Sequence, residues 1–241
     1  MKKYFVLKKY QDFLQRKATS IFWGLMKIDS IRFYFCKVRW NYYKNNFKIL
    51  DNYTSAVGVS TVDYNLSAFN NNAVFGMGKR MSLLLYPLVA LLRDYHSPSV
   101  LIVGPRSEDD IFWARALGLS NTLGLDLFTY SKFVQLGDIH STNYPNQSFD
   151  AILLGWMISY SSEPNKVINE CKRLIKSGGF LGIGVQSDPA QKFNGISAPR
   201  MNHLNSSEDL ISLVNEEIVF VHDPKLEVAY ECAVILKLRK S

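Results

Sequence analysis

Four short stretches carry residues whose type and spacing suit chemistry: Gly104 to Glu108, Asp126, Asp138-Ile139-His140, and Gly155-Trp156. Each follows a strand-like run, and in an open parallel sheet ligands bind where strands end. Asp126 stands about twenty residues beyond Gly104, the placement from which a carboxylate accepts hydrogen bonds from both hydroxyls of a ribose. The alternative is a strand-end Asp that caps its own turn. Asp138 closes the next strand, where it can accept from the exocyclic amine of adenine or simply shape a turn. Trp156 beside Gly155 can wall a pocket or pack in the core. His140 lies on the same edge. His96, His203 and His222 are far apart, so no metal-ligand spacing is present.

The elements that would hold these positions alternate strand and helix. Val100-Leu101-Ile102-Val103 stops at Gly104, and a helical pattern follows. A second strand ends at Asp126, a third at Asp138, and Ala151 to Leu154 forms a fourth. A helix from Pro164 to Lys176, Gly178-Gly179 and a further run from Phe180 to Val185 complete the unit. This order predicts a doubly wound, mostly parallel α/β sheet. Lys79 to Tyr95 reads as a preceding helix, with Pro87 kinking it or marking its start. Ser206-Ser207-Glu208-Asp209 opens a short helix. Glu217 to His222 and Leu226 to Leu238 flank Asp223-Pro224-Lys225 as a hairpin. Gln186 to Met201 reads as irregular loop, and no assignment follows for Ile31 to Phe47.

The chain has 241 residues and a formal charge of +7, unevenly placed. Residues 1–50 hold twelve Lys/Arg against Asp12 and Asp29, and thirteen of the 32 aromatic residues. The Asn/Ser/Gly-rich stretch 51–78 is the best boundary. We therefore expect a basic N-terminal extension over 1–78 and an α/β domain over 79–241. In the extension Leu7, Tyr10, Leu14, Ala18, Ile21, Leu25 and Ile28 share one helical stripe. That stripe can pack on the protein itself or lie in a membrane interface beside its lysines. Cys36, Cys171 and Cys232 form no CxxC, which argues for a reducing compartment. Lys8-Lys9 interrupts the first apolar run too early for a signal-peptide core, and Leu83 to Leu92 is too short to span a bilayer. A cytoplasmic location is expected, with residues 1–50 as a candidate peripheral membrane contact.

The stretch from Val100 to Val185 resembles the class I S-adenosylmethionine-dependent methyltransferases of the type 11 group. The resemblance rests on Gly137-Asp138 followed by Tyr144-Pro145-Asn146-Gln147-Ser148-Phe149-Asp150, on the strand Ala151 to Leu154, and on Glu170 to Gly179. The closing hairpin fits the reversed seventh strand of that fold. The resemblance implies a Rossmann-like seven-stranded sheet, S-adenosyl-L-methionine as cofactor, and a cofactor site lined by Gly104, Asp126, Asp138 and Ile139, with Gly155 and Trp156 beside it. It also implies methyl transfer; we expect a small-molecule, glycan or lipid-linked acceptor, with His140, two residues after Asp138 on the same edge, as the candidate base.

One motif departs from the family pattern. Its first loop has an acidic residue and three spaced glycines, which let backbone approach the cofactor. Here Ile102 takes the acidic position, Gly104 is kept, and Arg106 and Glu108 replace the second and third glycines. Pro105 removes an amide donor. Arg106 can bind the cofactor carboxylate in a bidentate fashion, and Glu108 can cap the next helix or accept from the cofactor amine. Alternatively the two side chains pair and fill the space, leaving a binding or scaffolding fold without catalysis. The segment Leu154-Gly155-Trp156-Met157 lacks the Pro-Pro-aromatic signature for methylating base amines, so nucleic acid is not the expected substrate.

Overall fold

The computed structural model describes residues 15–51, 67, 80–187 and 202–239. Expectations for Leu7, Tyr10 and Leu14, for most of the 51–78 boundary and for Pro189 to Met201 lie outside these residues.

Seven strands form one sheet in the order β5-β3-β2-β6-β7-β9-β8. They are β2 (Ser99–Val103), β3 (Asn121–Asp126), β5 (Val134–Leu136), β6 (Phe149–Gly155), β7 (Ile175–Ser187), β8 (Glu217–His222) and β9 (Tyr230–Lys237). Strand β9 alone runs antiparallel, to both β7 and β8. The expected mostly parallel, Rossmann-like sheet with a reversed C-terminal hairpin is therefore present. Its centre is β2 and β6, whose Val100 to Val103 and Ala151 to Leu154 are buried on both faces. Continuous apolar runs of this kind belong in a parallel sheet covered on both sides.

Helices supply the cover. On one face α5 (Pro164–Leu174) buries Val167, Ile168, Cys171 and Leu174, with Pro164 in its first turn. Its companion α6 (Ser207–Val214) begins with a capping box: Ser206 Oγ accepts from the Asp209 N–H, and Asp209 accepts in return from the Ser206 N–H. On the other face α3 (Ser82–Leu91) buries Leu84, Leu85 and Leu88. Pro87 sits inside this helix rather than at its first turn. The same face also carries α4 (Asp109–Ala116), which follows the altered loop.

Residues 15–25, here α1, are helical, and α2 (Asp29–Tyr43) covers the segment left unassigned from sequence. A two-residue strand β1 (Lys48–Ile49) pairs with β4 (Phe128–Thr129). These N-terminal elements pack on α4. Phe22, Trp23 and Phe35 surround Phe112 at ring separations of 6.5, 6.0 and 5.5 Å. The face of α1 that packs holds Phe22, Trp23 and Met26, whereas Ile21, Leu25 and Ile28 of the sequence-derived stripe are exposed.

Two buried ion pairs fix α2 to the start of α4. Arg32, fully buried, donates from Nε to Asp109 Oδ1 at 2.7 Å, from Nη2 to Asp29 Oδ1 at 2.8 Å and from Nη1 to the Met26 carbonyl at 3.0 Å. Its guanidinium lies 4.5 Å from the Trp113 ring centroid. Two turns further on, Arg39 grips Glu108 with two bonds of 2.6 and 2.7 Å.

Candidate active site

Because β2, β3, β5 and β6 are parallel, the residues after them converge on one edge of the sheet. A cleft there encloses, with the solvent at its mouth, about 660 Å³ of empty space. Its walls include Gly104, Arg106, Asp126, Asp138, Ile139, His140, Gly155 and Trp156. Eight of the nine positions singled out from sequence are thus brought together.

Glu108 is the ninth, and its expected contact with a cofactor amine is corrected. Its carboxylate is fully buried behind the loop, where it accepts from Arg39 and from the Ser131 hydroxyl. It precedes α4 without capping it through its side chain. Burial of a carboxylate this close to the sheet is tolerable because a guanidinium and a hydroxyl both reach it. Arg106 and Glu108 therefore do not plug the cleft by pairing with each other.

The loop keeps a glycine-like path despite its composition. Gly104 has φ +69°, and a Cβ there would lie 3.1 Å from the Met157 side chain. Arg106 holds φ +55°, a left-handed conformation that costs a non-glycine residue about 1 kcal/mol. Asp126 stabilises it: its Oδ2 accepts from the Arg106 N–H at 3.1 Å and its Oδ1 from the Leu127 N–H at 2.7 Å. Burial pushes the Asp126 carboxyl up to about 6, against the pull of these backbone bonds.

Trp156 is a second left-handed residue on the rim, with φ +58°. Its ring lies flat on β7 at Gly184, where a Cβ would fall 2.9 Å from the indole. The indole N–H donates to Glu231, and the Arg80 guanidinium sits 5.1 Å over the ring. Beyond Trp156 the cleft continues into a polar recess walled by Arg80, Arg106, Asp109 and Asp110. Asp110 Oδ1 is buried there with no hydrogen-bond partner. Burial, then the neighbouring Asp109, raises its pKa. Burial and the nearby Arg106 lower that of Arg80. A recess holding two guanidinium groups and one orphaned carboxylate oxygen fits a zwitterion, with carboxylate toward the arginines and ammonium toward Asp110.

At the other end, one carboxylate oxygen of Asp138 is engaged by His140. That oxygen, Oδ1, accepts from the His140 N–H at 2.9 Å and lies 2.6 Å from His140 Nδ1. The His140 Nε2 is 2.6 Å from Ser161 Oγ. His140 is buried, and both ring nitrogens are engaged, so its one route toward the cleft runs through the Ser161 hydroxyl, which also lines it. Tyr160 lines the cleft as well. Tyr130, the other tyrosine near a strand end, instead packs against Trp40 at 4.9 Å, away from the site.

Sequence reasoning missed Arg80, Asp110 and Ser161. Asp110 was hidden in the run Glu108-Asp109-Asp110, which reads as ordinary acidic composition at a helix start. Arg80 and Ser161 had no local signal, since each reaches the cleft from a segment that is not a strand end of the parallel half.

The strand order, the reversed β9 and a cleft at the carboxyl edge define a class I methyltransferase fold. Residues 112–183 match the family model described as a methyltransferase domain. Over that stretch and in its fold the chain is similar to the class I S-adenosylmethionine-dependent methyltransferases, whose cofactor is S-adenosyl-L-methionine. No curated protein sequence matches the chain.

Among solved structures, it is similar to a chain from the complex between the Haloferax volcanii Trm112 methyltransferase activator and a methyltransferase (TM-score 0.57, 12% identity, 73% of this chain and 98% of that one). It is also similar to the (4+2)-cyclase SpnF (0.54, 16%, 78% and 100%). A third is Burkholderia thailandensis 1,6-didemethyltoxoflavin-N1-methyltransferase with bound 1,6-didemethyltoxoflavin and S-adenosylhomocysteine (0.53, 13%, 80% and 95%). At these identities the likeness concerns the fold, and a fold that includes a cyclase does not by itself fix the reaction.

Proposed function

We propose that this protein is an S-adenosylmethionine-dependent methyltransferase acting on a small-molecule, glycan or lipid-linked acceptor. The observation that carries the reading is the polarity of the cleft from end to end. Arg80, Arg106 and the orphaned Asp110 Oδ1 suit the amino-acid end of the cofactor. Asp126 suits the ribose, and Asp138 with Ile139 suits the adenine. When bound, the cofactor supplies an electrophilic methyl group on a sulfonium.

The protein's own part is alignment, exclusion of water and removal of a proton. Holding two reactants in near-attack geometry can supply roughly 7–11 kcal/mol of the barrier. Trp156, fixed by Gly184, Glu231 and Arg80, forms a rigid wall at the junction of the two halves of the cleft. For a hydroxyl acceptor, the Ser161 hydroxyl takes the proton while passing its own to His140 Nε2. Asp138 holds the other side of the imidazole. Such a relay contributes about a hundredfold or more.

Isothermal titration with S-adenosylmethionine and with S-adenosylhomocysteine tests the reading. Saturable binding of both is expected. Absence of heat with either ligand at about millimolar concentration, the upper end of ordinary enzyme affinities, would overturn it in favour of a non-catalytic module.

A further inference from the structure

The two N-terminal helices leave an unusual outer surface. With Phe22 and Trp23 half-buried and Met26 buried, α1 and the turn after it present Ile21, Leu25 and Ile28 at 63, 42 and 49% exposure. Having buried Arg32, Cys36 and Trp40, α2 presents Tyr34, Val38 and Tyr42 at 71, 47 and 77%. Ile21 and Leu25 lie one turn apart on α1, Tyr34, Val38 and Tyr42 follow at steps of four on α2, and Ile28 stands in extended backbone between the two helices. Scattered apolar residues on a surface need no explanation, whereas six exposed on two adjoining helices and the turn between them do.

The charges on this surface are of one sign. Arg16, Lys17, Lys27, Lys37, Lys44 and Lys48 are all exposed. The one acidic residue between positions 15 and 50, Asp29, is bound by Arg32. In sequence the α1 stripe continues upstream as Leu14, Tyr10 and Leu7, with Lys8, Lys9, Lys2 and Lys3 beside it.

We propose that the outer face of α1 and α2 docks on an anionic lipid membrane. The apolar stripes would enter the headgroup boundary and the cations would sit at lipid phosphates. A helix pair with exposed aliphatic side chains bordered by lysines has the composition of an interfacial anchor. A nucleic acid rewards the cations but gives no gain for Ile21, Leu25, Ile28 or Val38. A second copy of the chain would set six cations against six with no carboxylate to meet them. The inference is independent of the cofactor site, so either can fail alone.

The test is flotation of the full chain with vesicles of phosphatidylcholine alone and with phosphatidylglycerol added. Binding is expected to the anionic vesicles and to weaken with salt. The combined variant Lys27→Gln, Lys37→Gln, Lys44→Gln is expected to bind about a hundredfold more weakly, at about fivefold for each lysine. The combined variant Ile21→Ser, Leu25→Ser, Ile28→Ser is expected to lose about tenfold or more at an unchanged melting temperature. Failure to bind anionic vesicles, or equal binding to both compositions, would overturn the proposal. So would full retention by the serine variant. Random-sequence oligonucleotide bound more tightly than vesicles, and unaffected by the serine changes, would assign the face to nucleic acid. A dimer dissolved by those changes would assign it to a second copy.

Discussion

The backbone N–H of Arg106 donates to the carboxylate of Asp126 at 3.1 Å, so the residue standing in a glycine's place is held by the aspartate that ends the neighbouring strand. The shape of the altered loop is thus set by a main-chain contact that any side chain at 106 leaves available. What the substitution adds is a guanidinium on the cleft wall, together with the strain of a left-handed arginine.

Cofactor affinity is expected to fall as pH drops through about 6, where Asp126 takes up a proton and ceases to accept from both ribose hydroxyls. The sign for stability is opposite. Because the folded value is raised from 3.8 to about 6, the free protein loses stability as pH rises across that interval. Titration calorimetry and thermal melts from acid to neutral pH check both. Asp126→Asn should abolish the pH step and weaken binding by roughly tenfold or more.

Removing Arg39 should destabilise the protein by about 3 kcal/mol, since Glu108 would be left buried with its charge uncompensated. Arg39→Ala with Glu108→Gly restores the family's third glycine and should recover most of that loss. Chemical denaturation of the two variants measures it, and equal loss in both would dissociate Arg39 from Glu108.

In the polar recess, Asp110→Asn should raise stability and lower cofactor affinity together, because the orphaned oxygen is costly until an ammonium meets it. Arg106→Gly should reduce affinity for S-adenosylmethionine by about tenfold while relieving backbone strain. Against a decarboxylated cofactor analogue the same variant should lose little. Paired calorimetry and melting curves decide between a recess that binds a zwitterion and one that is merely structural.

His140 in its neutral form should carry its proton on Nδ1, facing Asp138, and accept from the Ser161 hydroxyl at Nε2. Long-range proton–nitrogen spectra report that tautomer directly. In Ser161→Ala the Nε2 resonance should shift toward a non-hydrogen-bonded value with Nδ1 unchanged. A proton on Nε2 in the native protein would invert the relay.

Helix α5 anchors the loop before β6 through Glu170, whose carboxyl is held down to about 2 by Arg173 and Thr142. A folded value below the ordinary 4.5 stabilises above that pH and fades as pH falls toward 2. Glu170→Gln should therefore flatten the acid limb of the stability curve.

Much of the sheet was legible because its strands obey local rules. Val100 to Val103 and Ala151 to Leu154 are apolar on both faces, and Asp126 and Gly155 end their strands where turn chemistry says they should. The α2 segment was not legible: its buried face contains Arg32, which reads as polar until Asp109 is brought to it from 77 residues away. Glu108 misled for the same reason, its partner Arg39 being distant in sequence. Ser161 reaches His140 only because the turn after β6 folds back over the end of β5. Side chains whose meaning lies in a remote partner carry no periodic signature.

The grip of Arg39 and Arg32 on Glu108 and Asp109 has a consequence for how far this protein can be cut down. A version beginning at the sheet would inherit two carboxylates in an apolar seat whose counterions had gone with the missing helices, and it would not be a minimal enzyme. The two carboxylates those helices hold directly follow Arg106 and Ser107 in the cleft wall, and Asp109 is part of that wall.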